Sequence, residues 1–470
     1  METEEKSMKR FRNLVILLAV FFVVILGIVL TKTITRHQDS LKTVDKEILA
    51  VSVDDLTGVE WTNNEATIAF VQEDGVWKDS EDAAFPVNQD QIGEFLDQFA
   101  SVHASFIISD VADFDQYGLA SPSASITFTT AEGTTTMSFG DYSVMDSKRY
   151  VTLGDEYVYL IDTDLMEAAE TERDEFMQHD DIPTFTTLDT FTVSGANELS
   201  ILYTEEDTYE YSGVYYYFLK ENDNYLALEG SEVRSLIAVL TGLDLTDYVT
   251  YTASADDLSE YGLDNPAITV VISGRENSTE DDITSVTVYV GAVATSETDD
   301  DGNTLYNAYV RVGDSEIVYA ADSDVYTDLR DADYNSLRPV NVIVADWDTV
   351  TALTAVVGEE TYEFTQGENE DGESVVLYND CEVSVSSIET ALDALEVTQF
   401  QDYKTPGSEL ECSITLSTTL EDYPTLTVEL YTCDGDSCFA VMNGENLGLV
   451  SRSQMVTLRE AILTEILNAK

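Results

Sequence analysis

Residues 88–101, NQDQIGEFLDQFAS, carry apolar side chains at positions i, i+3, i+4 and i+7: Ile92, Phe95, Leu96 and Phe99. This spacing places all four side chains on one face of an α-helix. The stretch therefore predicts an amphipathic helix that packs its apolar face against a core.

The same helical signature occurs at two later places in the chain. The second copy is residues 231–242, where Ser231 is a candidate N-cap residue. The apolar positions are Val233, Leu236, Ile237 and Leu240 in the second copy and Ile388, Ala391, Leu392 and Leu395 in the third. An element that recurs about every 140–155 positions, followed each time by a similar run of strands, indicates one module used three times. A chain of 470 residues is long enough for roughly three such domains.

The first module, residues 48–177, shows strand-like segments on both sides of its helix. Alternating apolar and polar side chains predict strands at residues 66–71, 76–78, 125–130, 134–139, 149–153 and 157–161. Asp162-Thr163-Asp164 offers N-cap candidates for a closing helix. We therefore predict the α+β class, with each module a mostly antiparallel sheet packed by one or two helices.

The second module, residues 188–331, repeats this order, and the third, residues 340–470, is a divergent copy. Residues 317–325 repeat residues 157–165 at an offset of 160 positions. The third module ends in a predicted helix over residues 452–468, with Met455, Leu458, Ile462 and Ile466 on one face. Terminal repeats are often atypical because they cap the array.

A hexapeptide, Tyr-Gly-Leu-x-x-Pro, occurs at Tyr117 and again 144 positions later at Tyr261, but not in the third module. Glycine permits a positive φ, leucine is suited to a core, and proline starts an extended segment without donating a hydrogen bond. The motif predicts a structural corner that turns the chain into the following sheet, in preference to a ligand loop.

The charge of the chain is strongly asymmetric. Residues 1–46 carry 8 Lys/Arg and 5 Asp/Glu, whereas residues 47–470 carry 14 Lys/Arg and 86 Asp/Glu, a formal charge of −72. A field of this sign repels nucleic acid and anionic lipid, so nucleic-acid binding is excluded as a function. The charge fits a highly soluble exterior, and also a cation-rich wall environment, a basic partner or a salty habitat.

Residues 14–30, LVILLAVFFVVILGIVL, form an uninterrupted apolar run of 17 residues. With flanking residues it approaches the ~30 Å hydrocarbon thickness of a bilayer. A cleaved signal peptide is the competing interpretation, but the run exceeds the usual h-region of about 7–15 residues and no small-x-small cleavage site follows. We predict a retained anchor at residues 14–34, a cytoplasmic tail at residues 1–13, a linker at residues 35–47 and an extracytoplasmic body.

The four cysteines, Cys381, Cys412, Cys433 and Cys438, all lie in the third module. An outward-facing domain permits disulfides. Cys433 and Cys438 bracket a turn sequence between two strand-like runs, so we expect them to close a hairpin loop. Four free thiols are the alternative.

Signatures of catalysis and metal binding are missing from the sequence. The three histidines, His37, His103 and His179, have no helical metal-ligand spacing, and no nucleophile elbow or phosphate-binding loop occurs. The acidic stretches Asp299-Asp300-Asp301-Gly302-Asn303 and Asp434-Gly435-Asp436 do not follow the EF-hand pattern, so solvated turns are favoured over weak calcium sites. We expect no catalytic, cofactor-binding or metal-binding residues, and no enzyme activity.

The order of motifs in the first module resembles a bacterial family known as domain of unknown function 4340 (DUF4340). The matching features are Trp77, Pro86-Val87 before the helix, Tyr117-Gly118-Leu119 and the strand ending Phe139-Gly140-Asp141. They recur in the second module and fade in the third. The resemblance implies an N-terminally anchored, mixed β/α protein in tandem copies, often encoded beside ABC-type export systems of the gliding-motility type.

Together these features predict a non-enzymatic, membrane-anchored accessory or scaffold protein on the extracytoplasmic side, with an ABC transporter permease or another envelope protein as its partner. The alternative is a cell-surface protein that binds wall glycan or a basic protein. The sequence names no small-molecule ligand.

Overall fold

A computed structural model describes residues 45–62, 66–205, 209–222, 224–277, 282–299, 302–369, 373–405 and 407–469. The predicted tail, the anchor and residues 35–44 of the linker lie outside these ranges. None of the helices within them is long and apolar enough to cross a membrane. The chain divides between His179 and Asp180 into two compact units, of which the first contains one sheet and the second contains two.

From Asp45 onwards, the described part of the first unit is a nine-stranded antiparallel sheet with two short α-helices. Its strands are β1 (Lys46–Leu49), β2 (Leu56–Thr62), β3 (Thr67–Glu73), β4 (Val76–Asp79), β5 (Val102–Ile108), β6 (Ala124–Thr130), β7 (Gly133–Ser143), β8 (Lys148–Thr152) and β9 (Val158–Ile161). Its helices are α1 (Gln89–Asp97) and α2 (Met166–Glu170), with 3₁₀ turns at Val53–Asp55, Asp115–Tyr117 and Arg173–Phe176.

The second sheet also has nine antiparallel strands. They are β10 (Thr187–Gly195), β11 (Leu199–Tyr203), β12 (Tyr217–Glu221), β13 (Asn224–Leu228), β14 (Tyr248–Thr250), β15 (Ile268–Arg275), β16 (Thr284–Thr298), β17 (Thr304–Val312) and β18 (Val318–Ala321). Its helices are α3 (Gly230–Thr241), α4 (Ala255–Glu260), α5 (Ser323–Asp331) and α6 (Tyr334–Leu337).

The third sheet follows the same plan. Its strands are β19 (Val350–Val357), β20 (Glu360–Glu368), β21 (Ser374–Tyr378), β22 (Cys381–Val383), β23 (Val397–Phe400), β24 (Leu410–Thr418), β25 (Thr425–Thr432), β26 (Ser437–Met442) and β27 (Glu445–Ser451). Its helices are α7 (Ser386–Asp393) and α8 (Arg452–Asn468), with a 3₁₀ turn at Trp347–Thr349.

Eight strands have the same order in all three sheets. The order β5-β9-β8-β7-β6-β2-β3-β4 is matched by β14-β18-β17-β16-β15-β10-β11-β12 and by β23-β27-β26-β25-β24-β19-β20-β21. The ninth strand differs, because β1 adds to one edge of the first sheet whereas β13 and β22 add to the opposite edge of the others. The predicted repetition of mostly antiparallel sheet modules is therefore confirmed, including the divergent third copy.

The predicted helical stripes face the cores of their modules. Ile92 is fully buried on α1, and Val233 and Ile388 are fully buried on α3 and α7. The predicted helix over residues 88–101 is too long, because the chain leaves α1 after Asp97 and Phe99 is buried in the turn that follows. Ser231 was also the wrong N-cap, since Glu229 is the N-cap of α3 and its side chain accepts a hydrogen bond from the backbone N–H of Ser231.

The packing of Trp61 identifies which face of the first sheet is the core. Its ring lies 4.8 Å from the ring of Phe95 on α1 and 5.4 Å from that of Phe176, and its indole N–H donates to the Thr171 carbonyl. Trp61 pairs across strands with Ile126, which is also fully buried. The helices therefore cover this face, and we call the opposite one the open face.

Hydroxyl side chains on neighbouring strands bond to each other in every module. Thr127 and Thr136 approach to 2.9 Å between their oxygens in the first sheet. Thr190 bonds to Ser273 in the second, and Thr415 to Thr427 in the third. Directly opposed hydroxyl pairs of this kind stabilise a sheet whose surface is in contact with water.

The Tyr-Gly-Leu corner is a close contact between two backbones. Gly118 and Gly262 have φ values of 71° and 68°, and the leucines that follow them are buried. A Cβ on Gly140 of β7 would lie 2.2 Å from the Tyr117 carbonyl oxygen. Gly291 of β16 stands in the same relation to Tyr261, at 2.1 Å. The corner therefore requires glycine at the motif and on the strand beneath it.

Within the second unit, the second and third sheets are joined by aromatic contacts. Tyr211, in the segment between β11 and β12, packs against the core of the third module and meets Tyr423 edge-on at 5.9 Å. Burial raises the pKa of Tyr211 above its ordinary value. The Arg338 guanidinium stacks over Phe400 at 4.2 Å, a cation–π contact that adds to the interface.

We expect Gly140→Ala to destabilise the first unit by about 2–4 kcal/mol, because the new methyl group overlaps the backbone of the corner. Gly93→Ala is the matched control, since a Cβ there meets no heavy atom within 4 Å and alanine stabilises a helix interior by ~1 kcal/mol. Denaturant unfolding of the full chain measures both. Equal changes in the free energy of unfolding for the two substitutions would contradict the proposed contact at the corner.

Removing the Tyr211 ring should uncouple the second and third sheets. We expect Tyr211→Ala to cost roughly 3 kcal/mol and to separate their unfolding into two calorimetric transitions. Tyr216→Ala, which removes a 47% exposed ring from the same segment, should leave the unfolding profile nearly unchanged. A single transition in the Tyr211 variant would show that other contacts dominate.

Candidate interaction surface

The open face of the first sheet carries a groove of about 540 Å³ near its β1 edge. Its floor is apolar, because Phe106 of β5 and Tyr150 of β8 both pair across strands with Leu160 of β9. The next residue of β8, Val151, points the other way and is fully buried in the core. The remaining lining residues are Asp45, Ser105, Ile108, Asp146, Lys148 and Asp162.

The charged groups of the groove lie along its rim. The Lys148 ammonium pairs with the Asp162 carboxylate, and the Asp45 carboxylate lies 2.5 Å from Nδ1 of His103. The residue after Lys148, Arg149, alternates to the opposite face of β8 and binds Asp164 with two nitrogens, at 2.7 and 3.1 Å. A rim of charge around an aromatic and aliphatic floor suits an amphipathic chain segment better than a small polar ligand.

One side of the rim is the turn between β7 and β8, which is strongly apolar at its tip. Val144 is 84% exposed and Met145 is 93% exposed, and Tyr142 at the end of β7 is 43% exposed. We call residues 142–147 the apolar hairpin. Asp146 in this turn accepts a hydrogen bond from Ser143 at 2.8 Å, so its carboxylate is tied to the turn.

The second sheet has a corresponding cavity of about 430 Å³. Tyr309 pairs with Ala320 there as Tyr150 pairs with Leu160. The corner tyrosines also correspond, since Tyr261 lies 4.7 Å from Tyr309 and Tyr117 lies 5.0 Å from Tyr150. Asn307 stands where the first module has Lys148, so the second cavity has no cation at this position.

The predicted absence of catalytic and metal-binding residues stays a prediction. His37 lies outside the described residues, and His103 bonds to Asp45, which lines the groove. Within the described ranges, no three His, Cys, Asp or Glu side chains are grouped as a metal site would require. The carboxylates of the acidic turns accept bonds from the turns themselves: Asp299 from Asn303 at 2.7 Å, and Asp434 from the amides of Asp436 and Ser437. These amides hold the pKa of Asp434 below its ordinary value.

The expected Cys433–Cys438 disulfide was wrong, because all four cysteines are free. Cys438 lies opposite Thr432 across β25 and β26 and is fully buried. Cys433 follows the end of β25 and is half-buried, and successive side chains along a strand point to opposite faces of a sheet. The cysteine spacing alone does not reveal this alternation.

Sequence reasoning missed the groove and the apolar hairpin. A detectable signal was the segment Ser143-Val144-Met145-Asp146, in which two large apolar residues interrupt an otherwise polar turn. Exposed apolar groups in such a position are typical of an interaction site when they adjoin others. The groove floor itself was not detectable, since Phe106 and Leu160 meet only through strand pairing.

Residues 77–212 and 219–413 match the model of a family described as Domain of unknown function (DUF4340). The chain belongs to the DUF4340 family. The tandem match confirms the resemblance read from the motifs and ends within β24, in the divergent third module. No curated protein and no solved structure matches the chain.

The thiols of this DUF4340 member should differ widely in reactivity. Burial raises the pKa of Cys412 to about 12 and that of Cys438 to about 11, and only thiolates react readily. We expect exposed Cys381 to be alkylated first at pH 8, and Cys412 and Cys438 only after unfolding. The native state holds these two thiols neutral, so their contribution to stability is complete below pH 9 and declines as pH rises towards 12.

Titration of the thiols in denaturant, without reductant, counts the free cysteines directly, and we expect four. Cys381→Ser is the control and should remove the fast-reacting group while leaving the slow ones unchanged. If only two thiols react in the unreduced chain, the other two form a disulfide, and the assignment of four free thiols is wrong.

Proposed function

We propose that this DUF4340 protein is a non-enzymatic scaffold, anchored in the cell membrane by residues 14–34 with its body on the extracytoplasmic side. Its partner would be the permease of an ABC-type exporter or another envelope protein. The observation that carries the proposal is the threefold repetition of one sheet module behind a single apolar segment. Repetition multiplies surface and reach, which is what a scaffold needs.

The groove of the first sheet is the surface that we assign to the partner. It has an apolar floor with Phe106 37% exposed, and it is lined by Asp45, which lies near the end of the predicted linker. A partner embedded in the same membrane would therefore be within reach of the groove. Apolar contact at the floor would supply affinity, and the rim charges would set orientation.

A second candidate function is favoured by the charge of the chain. A formal charge of −69 would attract a soluble basic protein over distances set by the ionic strength. This candidate predicts binding that weakens steeply with salt and does not depend on the groove.

We expect the full-length protein, solubilised from native membranes in mild detergent, to co-purify with an ABC permease identified by mass spectrometry. Phe106→Ser should reduce permease recovery several-fold, because it removes an apolar contact from the groove floor. Val214→Ser is the matched control, since it alters a 50% exposed apolar side chain in the second unit. Protease treatment of intact cells should digest the body if it is extracytoplasmic.

Three outcomes would count against the proposal. A body that stays uncut in intact cells overturns the orientation. Recovery of no permease overturns the partner. Equal losses in both variants show that the groove is not the contact surface.

A further inference from the structure

The hairpin between β7 and β8 exists in all three modules, and the copies differ in one property. Its counterparts are the β16–β17 and β25–β26 hairpins, as the common strand order shows. Residues 296–304 of the second module read SETDDDGNT, and the third module has Asp434-Gly435-Asp436 at the turn. The first module instead places Val144 and Met145 there. One hairpin of three is apolar, and it belongs to the module that follows the membrane segment.

Exposure of this kind is costly for a turn in contact with water. Met145 and Val144 are the two most exposed large apolar side chains of the described residues, at 93% and 84%. Neither side chain contributes to the core. The acidic turns of the other modules show that the fold does not require apolar residues at this position, so the structural role of the turn does not account for them.

The apolar hairpin also lies close to the point where the chain departs towards the membrane segment. Asp45 and Asp146 line the same groove, and Asp45 is held there by His103 and by the pairing of β1 with β5. Residues 35–44 separate Asp45 from the predicted anchor, and ten residues span at most about 35 Å. The tether therefore keeps the hairpin near the bilayer surface at a high effective concentration, which lets a weak contact form.

We infer that the apolar hairpin contacts the surface of the bilayer that holds the anchor, with Val144 and Met145 entering the headgroup region. This inference rests on the anchor of the proposed function and deepens it, since it orients the first module and brings the groove to the membrane surface. The lipid is zwitterionic, because the acidic body repels an anionic surface.

The test uses the full-length protein reconstituted in phosphatidylcholine vesicles whose acyl chains carry bromine. Met145→Trp should lose about half of its added fluorescence, since interfacial apolar groups reach ~5–10 Å into the bilayer, where bromine quenches. Wild-type protein, with its native Trp61, Trp77 and Trp347, provides the background. Glu156→Trp is the matched control, because the β8–β9 turn lies at the opposite end of β8, about 17 Å away, and Glu156 is exposed.

Quenching at position 145 but not at 156, lost again when Val144→Asp is added, is the expected result. Equal quenching at both positions, or none at either, overturns the inference while leaving the anchor intact if the protein still floats with the vesicles. Protein that does not float overturns the anchor itself. If Met145→Trp is unquenched by lipid, and a photoreactive amino acid placed at position 145 cross-links to a membrane protein in native membranes, the hairpin contacts a protein partner and the inference is overturned.

Discussion

The structure depends on one constraint: in each module the chain must pass from one edge of the sheet to the opposite edge. In the first module β4 and β5 lie at opposite ends of the shared eight-strand order, and in all three modules an amphipathic helix makes this crossing. The helix buries its apolar stripe on one face of the sheet, which becomes the core. In the first module the opposite face carries the groove. That module therefore has a packed face and a face available to solvent or partners.

Consequences of this arrangement appear on the open face. Hydroxyl pairs such as Thr127 with Thr136 occupy the middle of the sheet, where neither core packing nor charge is needed. The Tyr-Gly-Leu corner adds an aromatic contact, because Tyr117 lies against Tyr150, which lines the groove. The groove thus arises from the same topology that builds the core. Every second residue of a strand packs into the core, and the residues between them point to the opposite face, where the groove lies.

Duplication makes the differences between modules informative. The first two copies share the corner and the tyrosine pair, but Lys148 is replaced by Asn307 and the apolar hairpin by an acidic one. The third copy has lost the corner motif and packs against the second module through Tyr211 and Tyr423. A common scaffold therefore carries different surfaces, and the surface most unlike the rest belongs to the first copy in the chain.

The sequence by itself determined the module, its repetition and its class, because a helical stripe and alternating strands are local patterns that core burial enforces. Ile92, Val233 and Ile388 could be assigned to cores without coordinates. The sequence also determined the family through ordered motifs. Only the tertiary structure decided that Cys433 and Cys438 are free thiols. It also decided the contact between Gly140 and the Tyr117 backbone, and the groove formed by Phe106, Leu160 and Tyr150. These depend on which strands are neighbours and which face each side chain occupies, and strand pairing over long sequence separations leaves no local pattern.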